Sequence, residues 1–184
     1  MGRSKALLPF EGEPLLVHIV RGLQQLFDEI VIVGSPQNRL PLFPGRLVLD
    51  EVPFQGPVGG IYYGLRAIES PAGFVCSCDV PFLDLSLVAY LLSCIQDYDL
   101  VIPYWEERFQ PLHGVYRRSL VPVLRQQLDR GELRPGCLYG KVRTRVVREE
   151  ELRRIDPEGL SFINLNNPDD YHRALTLWHK RRGK

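Results

Sequence analysis

Short continuous apolar runs alternate with segments of helical periodicity along most of this 184-residue chain. Apolar runs of this kind are typical of strands that are covered on both faces. Their alternation with helices is typical of a mostly parallel sheet flanked by helices, so the pattern predicts an α/β fold. The predicted strands are Ile30–Val33, Arg46–Leu49, Gly73–Cys78, Asp99–Pro103, Pro111–Tyr116 and Thr144–Arg148.

Apolar spacing and capping residues predict helices between these strands. Pro14 suits the first turn of a helix, and Asp84 is a candidate N-cap for another. Asn167 as a cap and Pro168 at the first position predict the start of the last helix. The basic residues from Lys180 to Lys184 are expected to form a frayed end. Ahead of this last helix, the predicted helices cover residues 14–27, 58–68, 85–95, 119–128 and 133–140.

The length of the chain predicts a single domain spanning residues 1–184. A net charge of +1 provides no overall field to attract nucleic acid or an anionic membrane, so a phosphate-bearing substrate has to bind at a local site. No apolar run approaches the roughly 18 residues of a membrane span, and no signal peptide precedes Lys5. We therefore expect a cytoplasmic protein whose four cysteines are reduced core thiols: Cys76, Cys78, Cys94 and Cys137.

Asp79 follows a buried apolar strand in the segment Cys-Asp-Val-Pro. Ligands of open α/β sheets bind at the carboxyl ends of the strands. A carboxylate at this place can hold Mg²⁺ while the ion keeps several waters and takes phosphate oxygens from a substrate. An aspartate that caps the following turn through its own backbone fits the bare Asp-x-Pro pattern at least as well.

Three further features are candidates for binding. Asp50 ends the second predicted strand, and Gly56 opens a glycine-rich stretch before a helix, where free N–H groups can face a ligand. A tightly packed strand-to-helix turn is the simpler alternative. Asn164 and Asn166 alternate, so in an extended segment both amides point to one side and can bind phosphate or a heterocycle. Amides that only satisfy the backbone ahead of a helix cap are the competing interpretation.

Several of these segments resemble the molybdenum cofactor guanylyltransferases, the MobA-like nucleotidyltransferases. Met1-Gly2-Arg3-Ser4-Lys5 resembles the second half of their signature Leu-x-Gly-Gly-x-Ser-x-Arg-Met-Gly-x-x-Lys, and the Ala-Leu-Leu that follows continues the match. The family's Cys-Asp-x-Pro, Gly-Pro-x-x-Gly and Phe-x-Asn-x-Asn-Thr-Pro-Glu-Asp motifs are matched around Asp79, Gly56 and Asn164. The resemblance extends from Met1 to about residue 171.

This resemblance implies the Rossmann-like fold of nucleotide-diphospho-sugar transferases and a Mg²⁺-dependent transfer of GMP from GTP to Mo-molybdopterin, with release of pyrophosphate. It implies that Lys5 and Asp79 are catalytic, with Asp79 holding the metal. It also implies that Lys5, Asp50, Gly56, Asp79, Asn164 and Asn166 contact the substrates. Other proteins of molybdenum-cofactor biosynthesis or insertion are candidate partners.

Two alternatives to this function stay open. A cytidylyltransferase for the same cofactor, or another small-metabolite nucleotidyltransferase, would have the same fold. An inactive or accessory nucleotide-binding protein is the other alternative, since the signature's first strand and paired glycines have no counterpart ahead of Met1. A parallel sheet of this type needs that strand in its middle. We therefore expect an incomplete sheet, with a gap between the strands predicted at Ile30–Val33 and Gly73–Cys78.

Overall fold

Strands and helices alternate along the chain. The structure is a computed structural model and describes residues 4–35, 40–52 and 55–182. The strands in this part of the chain are β1 (Pro9–Phe10), β2 (Glu13–Pro14), β3 (Val31–Gly34), β4 (Arg46–Leu49), β5 (Ala72–Cys76), β6 (Leu100–Trp105), β7 (Arg108–Phe109), β8 (His113–Arg117) and β9 (Thr144–Arg148). The α-helices are α1 (Leu15–Leu23), α2 (Gly56–Ala67), α3 (Leu85–Ser93), α4 (Val121–Asp129), α5 (Gly136–Tyr139), α6 (Glu149–Leu152) and α7 (Pro168–Arg182).

The strands form one five-stranded sheet, one parallel pair and one short hairpin. In the large sheet β8 lies between β5 and β6 and is antiparallel to both, whereas β9 lies parallel to β6 on its other side. β3 pairs with β4 in parallel, and β1 with β2 in antiparallel orientation. The predicted α/β architecture is confirmed. The large sheet is mixed because the chain reverses at the β6–β7 hairpin and β8 returns beside β6.

A cavity of about 560 Å³ separates the β3–β4 pair from the five-stranded sheet. Val31, Ile32 and Val33 of β3 line one side, and all five residues of β5 line the other. Within the described ranges β3 pairs only with β4, and β5 only with β8. Each of these two strands therefore has one edge without a strand partner. This inter-sheet cavity lies where the sequence predicts a gap in the sheet.

Helices cover both faces of the large sheet. α2, α4 and α5 pack on one face around Ile61, Leu100 and Tyr116, and α3 and α6 pack on the other around Val101 and Val115. None of the helices in the described ranges is long and apolar enough to cross a membrane.

Several sequence-based boundaries need correction, among them the three that follow. α1 ends at Leu23 instead of Phe27, because the next residues form tight turns such as the bond from the N–H of Gln25 to the Gly22 carbonyl. β5 ends at Cys76, which leaves Cys78 exposed in a turn and not in the core. α7 continues to Arg182, so most of the predicted frayed end is helical. Lysine and arginine are good helix formers and suit a helix C-terminus. Gly183 and Lys184 lie outside the described residues.

Candidate active site

Three polar side chains from distant parts of the chain meet beyond the carboxyl end of β5. The Lys5 ammonium donates to Oδ2 of Asp79 at 2.8 Å and to Oδ1 of Asn166 at 3.1 Å. Lys5 lies in the first helical turn of the described chain, Asp79 in the turn after β5, and Asn166 in the segment before α7. The structure thus brings together three of the residues that the sequence analysis named.

Backbone hydrogen bonds hold this cluster in place. The N–H of Leu165 donates to the carbonyl of Asp79 at 3.0 Å, which ties the segment before α7 to the turn after β5. The carboxylate of Asp170 accepts the N–H groups of Asn166 and Asn167, and the N–H of Asp170 donates to Oδ1 of Asn167 at 2.9 Å. The reciprocal bonds confirm Asn167 as the cap of α7. The same cap fixes the backbone next to the amide that contacts Lys5.

Asp79 combines an ion pair with one unpaired oxygen. Its side chain is only 12% exposed, and Lys5 neutralises it through Oδ2. Oδ1 is buried and has no hydrogen-bond partner among the described residues. A buried polar atom without a partner costs about 1–3 kcal/mol, more for a charged group. An external cation would remove this cost.

The residues at this place fit a magnesium ion that is shared with a substrate. Mg²⁺ is commonly held by one or two carboxylates together with waters and substrate phosphates. Asp79 supplies one such carboxylate. In the described part of the chain there is no group of three or more histidine, cysteine or acidic side chains that would hold an ion by itself. A metal held by Asp79 would take further oxygen ligands from water and from substrate phosphates.

The two thiols beside this cluster are not reactive groups. Burial raises the pKa of Cys76 to about 12. Cys78 is exposed in its turn, but protein groups packed around it partly desolvate its thiol; this desolvation first, and the negative charge of Asp79 second, raise its pKa. Because the thiolate is the nucleophilic and metal-binding form, both residues are inert thiols at neutral pH.

A second group of candidate residues lies at the end of β4 and the start of α2. The Asp50 N–H donates to the Gly34 carbonyl at 3.0 Å, and burial raises the pKa of its carboxyl, whose Oδ1 has no partner in the described ranges. Gly56 starts α2 with a φ of +57°, a conformation that favours glycine. No hydrogen bond within the described residues joins Asp50 or Gly56 to the cluster around Lys5.

Gln55, which precedes α2, is a candidate residue that was not predicted from the sequence. Its side chain lies over the first turn of the helix, where a Cβ atom on Gly59 would come within 2.6 Å of the Gln55 Cβ. Its Oε1 is buried and has no partner among the described residues. The available signal was an amide side chain directly ahead of a Gly-Pro helix start.

Neither Asn164 nor His113 forms a hydrogen bond to the cluster around Lys5 among the described residues. The Asn164 amide donates to the Phe162 carbonyl at 3.2 Å, which agrees with the alternative in which it serves the backbone. His113 is 3% exposed and lies between the rings of Phe74 and Phe162, each 5.1 Å away. Burial lowers its pKa to about 4, so it is a neutral core residue at pH 7.

Comparison with known proteins gives a consistent result. The sequence model of the family described as "MobA-like NTP transferase domain" matches residues 1–143. The probable molybdenum cofactor guanylyltransferase of Methanosarcina mazei is 33% identical over 94% of this chain and 82% of its own length. The molybdenum cofactor guanylyltransferase of Desulfosudis oleivorans is 29% identical over 94% of this chain and 86% of its own length.

Solved structures share the fold. Molybdopterin-guanine dinucleotide biosynthesis protein A from Archaeoglobus fulgidus superposes with a TM-score of 0.80 at 22% identity, over 97% of this chain and 92% of that one. The 2-C-methyl-D-erythritol 4-phosphate cytidylyltransferase from Thermus thermophilus gives a TM-score of 0.70 at 16% identity, over 95% and 94% of the two chains.

Proposed function

Because the chain belongs to the family of MobA-like NTP transferases and is therefore a nucleotidyltransferase, we propose that it transfers GMP from GTP to Mo-molybdopterin and releases pyrophosphate. The relatives from Desulfosudis oleivorans and Methanosarcina mazei match nearly the full length of this chain, and both are named molybdenum cofactor guanylyltransferases. The observation that carries the proposal is the contact of Lys5 with Asp79 and Asn166, together with the buried Oδ1 of Asp79, which has no partner in the described ranges.

Charge neutralisation and positioning are the chemistry that this cluster supports. Lys5 carries a compact ammonium suited to phosphate oxygens, on which negative charge builds up as pyrophosphate leaves. Asp79 would hold Mg²⁺, which when bound neutralises the triphosphate. Asn166 fixes the direction of the Lys5 side chain through the 3.1 Å hydrogen bond. The acceptor is already an anionic phosphate oxygen, so no general base is required, and the transfer depends on alignment of the two substrates.

The remaining candidate residues divide between the two substrates. We assign Asp50, Gln55 and Gly56 to the nucleotide, because a strand end beside a glycine helix start presents backbone N–H groups to a ligand. We assign Asn164 and Asn166 to the acceptor side, where their segment is tied to Asp79 through Leu165. In this assignment the Asn164 amide exchanges its bond to the Phe162 carbonyl for one to the substrate.

The test is nucleotide transfer by the wild-type protein and by Asp79→Asn, with GTP or CTP, Mo-molybdopterin and millimolar Mg²⁺. Loss of the carboxylate should lower turnover by about 10²-fold or more, as expected for a key electrostatic group. Asp97→Asn is the matched control, since Asp97 is exposed and precedes β6, which places it at the opposite end of the strands from Asp79. Near-normal turnover of Asp79→Asn would remove Asp79 from the role, and a preference for CTP would replace guanylyl with cytidylyl transfer.

A further inference from the structure

An exposed aromatic cluster lies at the same edge of the large sheet as Asp79. The ring centroid of Phe109 is 4.9 Å from that of Tyr104 and 4.8 Å from that of Tyr139. Phe109 is 41% exposed, although its two neighbours are partly buried. We refer to Tyr104, Phe109 and Tyr139 as the aromatic shelf.

Strand pairing places the aromatic shelf next to the end of β5. Tyr104 pairs with Arg148 of β9 on one side and with Phe109 of β7 on the other. β7 therefore lies on the side of β6 that faces β8 and β5. Cys76, the last residue of β5, pairs with His113 at the start of β8. Since neighbouring strands are about 5 Å apart, the shelf lies within roughly 10 Å of the line of β5, beyond which Asp79 follows.

The aromatic shelf lies on the face of the sheet that α2 covers. Tyr139 is the last residue of α5, and it packs against the same buried cluster as Val58 in the first turn of α2. A Cβ atom on Gly56, the first residue of α2, would lie 3.8 Å from the Leu133 carbonyl in the segment that leads into α5. The helix start and the shelf thus border the same part of the carboxyl edge.

The geometry of the rings leaves room for a flat ligand. The planes of Tyr104 and Tyr139 are inclined to that of Phe109 by 66° and 58°, so neither contact is a parallel stack. The tyrosines hold Phe109 from the side, and two-fifths of its surface stays open. A supported, exposed aromatic ring beside a polar site is a platform on which a planar heterocycle can stack.

We propose that the aromatic shelf binds the pterin ring system of the acceptor by stacking on Phe109. This proposal rests on the proposed function. The order of the strands favours the pterin over the purine: Asp50 follows β4, at the far side of β5 from β6, so Asp79 lies between Asp50 and the shelf. A purine at Asp50 would lie away from the shelf, and the start of α2 at Gly56 would face the phosphates of the nucleotide. The two substrates then approach the reacting phosphates from opposite sides of Asp79, with the nucleotide towards β4 and the pterin towards β6.

The first test is steady-state kinetics of Phe109→Ala and Phe109→Tyr. The alanine variant should raise the KM for Mo-molybdopterin about tenfold, which lies within the range that stacking of a base on an aromatic side chain contributes. Its KM for GTP and its kcat should stay within about twofold, and the tyrosine variant should restore the acceptor KM. Leu26→Ala is the matched control, because Leu26 has the same 41% exposure and lies just beyond the end of α1.

The second test does not require turnover. 6-Hydroxymethylpterin is fluorescent, and we expect the wild-type protein to quench it on binding, with about tenfold weaker binding to Phe109→Ala. GMP should not displace it. Quenching that is unchanged in Phe109→Ala, displacement by GMP, or an unchanged acceptor KM in an active enzyme would overturn the pterin assignment. Phe109-dependent pterin binding in a protein without transferase activity would support the shelf and refute the proposed function.

Discussion

A strand that fills the inter-sheet cavity should stabilise this fold. The perturbation is an extension ahead of Met1 that carries about five apolar β-branched residues followed by a glycine turn. Lys5 lies beside Asp79 at the carboxyl edge of the strands. An extension that reaches Lys5 through this edge would therefore run parallel to β3 and β5 and pair with the edge of each that has no strand partner among the described residues.

The cavity sets the size of the effect. Its volume of about 560 Å³ is several times that of the cavity of about 150 Å³ that a small aromatic ligand fills. Burying one Val, Leu or Ile side chain contributes about 1.5–3 kcal/mol, against about 1.5 kcal/mol for ordering a residue. At the lower end of these values burial only offsets ordering, and about 1 kcal/mol for one new ladder hydrogen bond per residue gives at least about 5 kcal/mol for five residues. For a chain of this length, that raises the Tm by about 10 °C or more.

Thermal melting by circular dichroism, with urea unfolding at 25 °C, measures this effect. The control extension has the same length and glycine turn, but two of its inner apolar residues are replaced by proline and lysine. The proline removes a ladder hydrogen-bond donor, and the lysine places a charge in the cavity. Only the apolar extension should raise the Tm and the urea midpoint. Equal melting of the two extended proteins would refute the reasoning, since it would mean that the edges of β3 and β5 do not accept a strand.

Three smaller changes test other parts of the structure. Gly159→Ala should lower the free energy of unfolding by about 3 kcal/mol in urea titrations, because the new Cβ would lie 2.0 Å from the Trp105 ring at a residue with a φ of +64°. The pKa of His113 is lowered from 6.5 to about 4, so between these pH values the unfolded chain binds more protons than the folded one. The free energy of unfolding should therefore fall by about 3 kcal/mol as the pH drops from 6.5 to 4. His113→Leu should make the free energy of unfolding less dependent on pH in this range. Glu106 and Glu107 have φ values of +47° and +59° in the β6–β7 hairpin, so replacing them with Asn and Gly should raise the Tm by a few degrees, equivalent to about 1 kcal/mol.

Each of these changes has a matched control. Gly140→Ala places a Cβ where no heavy atom lies within 4 Å and where φ is −88°, so it should leave stability nearly unchanged. His172→Leu removes an exposed histidine and should keep the acid slope. Glu158→Gly changes an exposed glutamate outside the hairpin. A Gly159→Ala protein of normal stability, an acid slope that survives His113→Leu, or a hairpin variant that melts no higher would contradict the corresponding prediction.

Apolar runs and capping residues in the sequence predicted most strands and helices correctly. Arg46–Leu49 and Thr144–Arg148 are strands with the predicted bounds, and Asp84 accepts the N–H groups of Ser86 and Leu87 as an N-cap should. These features depend on apolar runs and capping chemistry that a few neighbouring residues determine. The direction of β8 could not be read in this way, because an apolar run looks the same in a parallel and in an antiparallel strand.

The candidate site also contains features that neighbouring residues predict and features that only the folded chain determines. Asp79 and Asn167 could be placed from their neighbours in the sequence, one after an apolar strand and the other before a helix. The contact of Lys5 with Asn166 joins residues 161 positions apart and depends on the folded chain. The different surroundings of Asn164 and Asn166 were also hidden from the sequence. The two-residue alternation holds only in an extended strand, and residues 163–167 pair with no strand in the described part of the chain.

The ion pair between Lys5 and Asp79 connects the structure of the free protein with the proposed reaction. Lys5 is one-third exposed and Asp79 is nearly buried, so each depends on the other for charge compensation. In the proposed reaction, a magnesium nucleotide would offer anionic oxygens to Lys5 and a cation to Asp79, so the substrate would replace one ion pair with two. Because Oδ1 of Asp79 has no partner in the described ranges, the cation adds an interaction before Lys5 has to leave Oδ2. In the proposed reaction, a free triphosphate that drew Lys5 away would leave Asp79 uncompensated, whereas a metal nucleotide would compensate both charges, so we expect the metal nucleotide to bind more tightly than the free triphosphate.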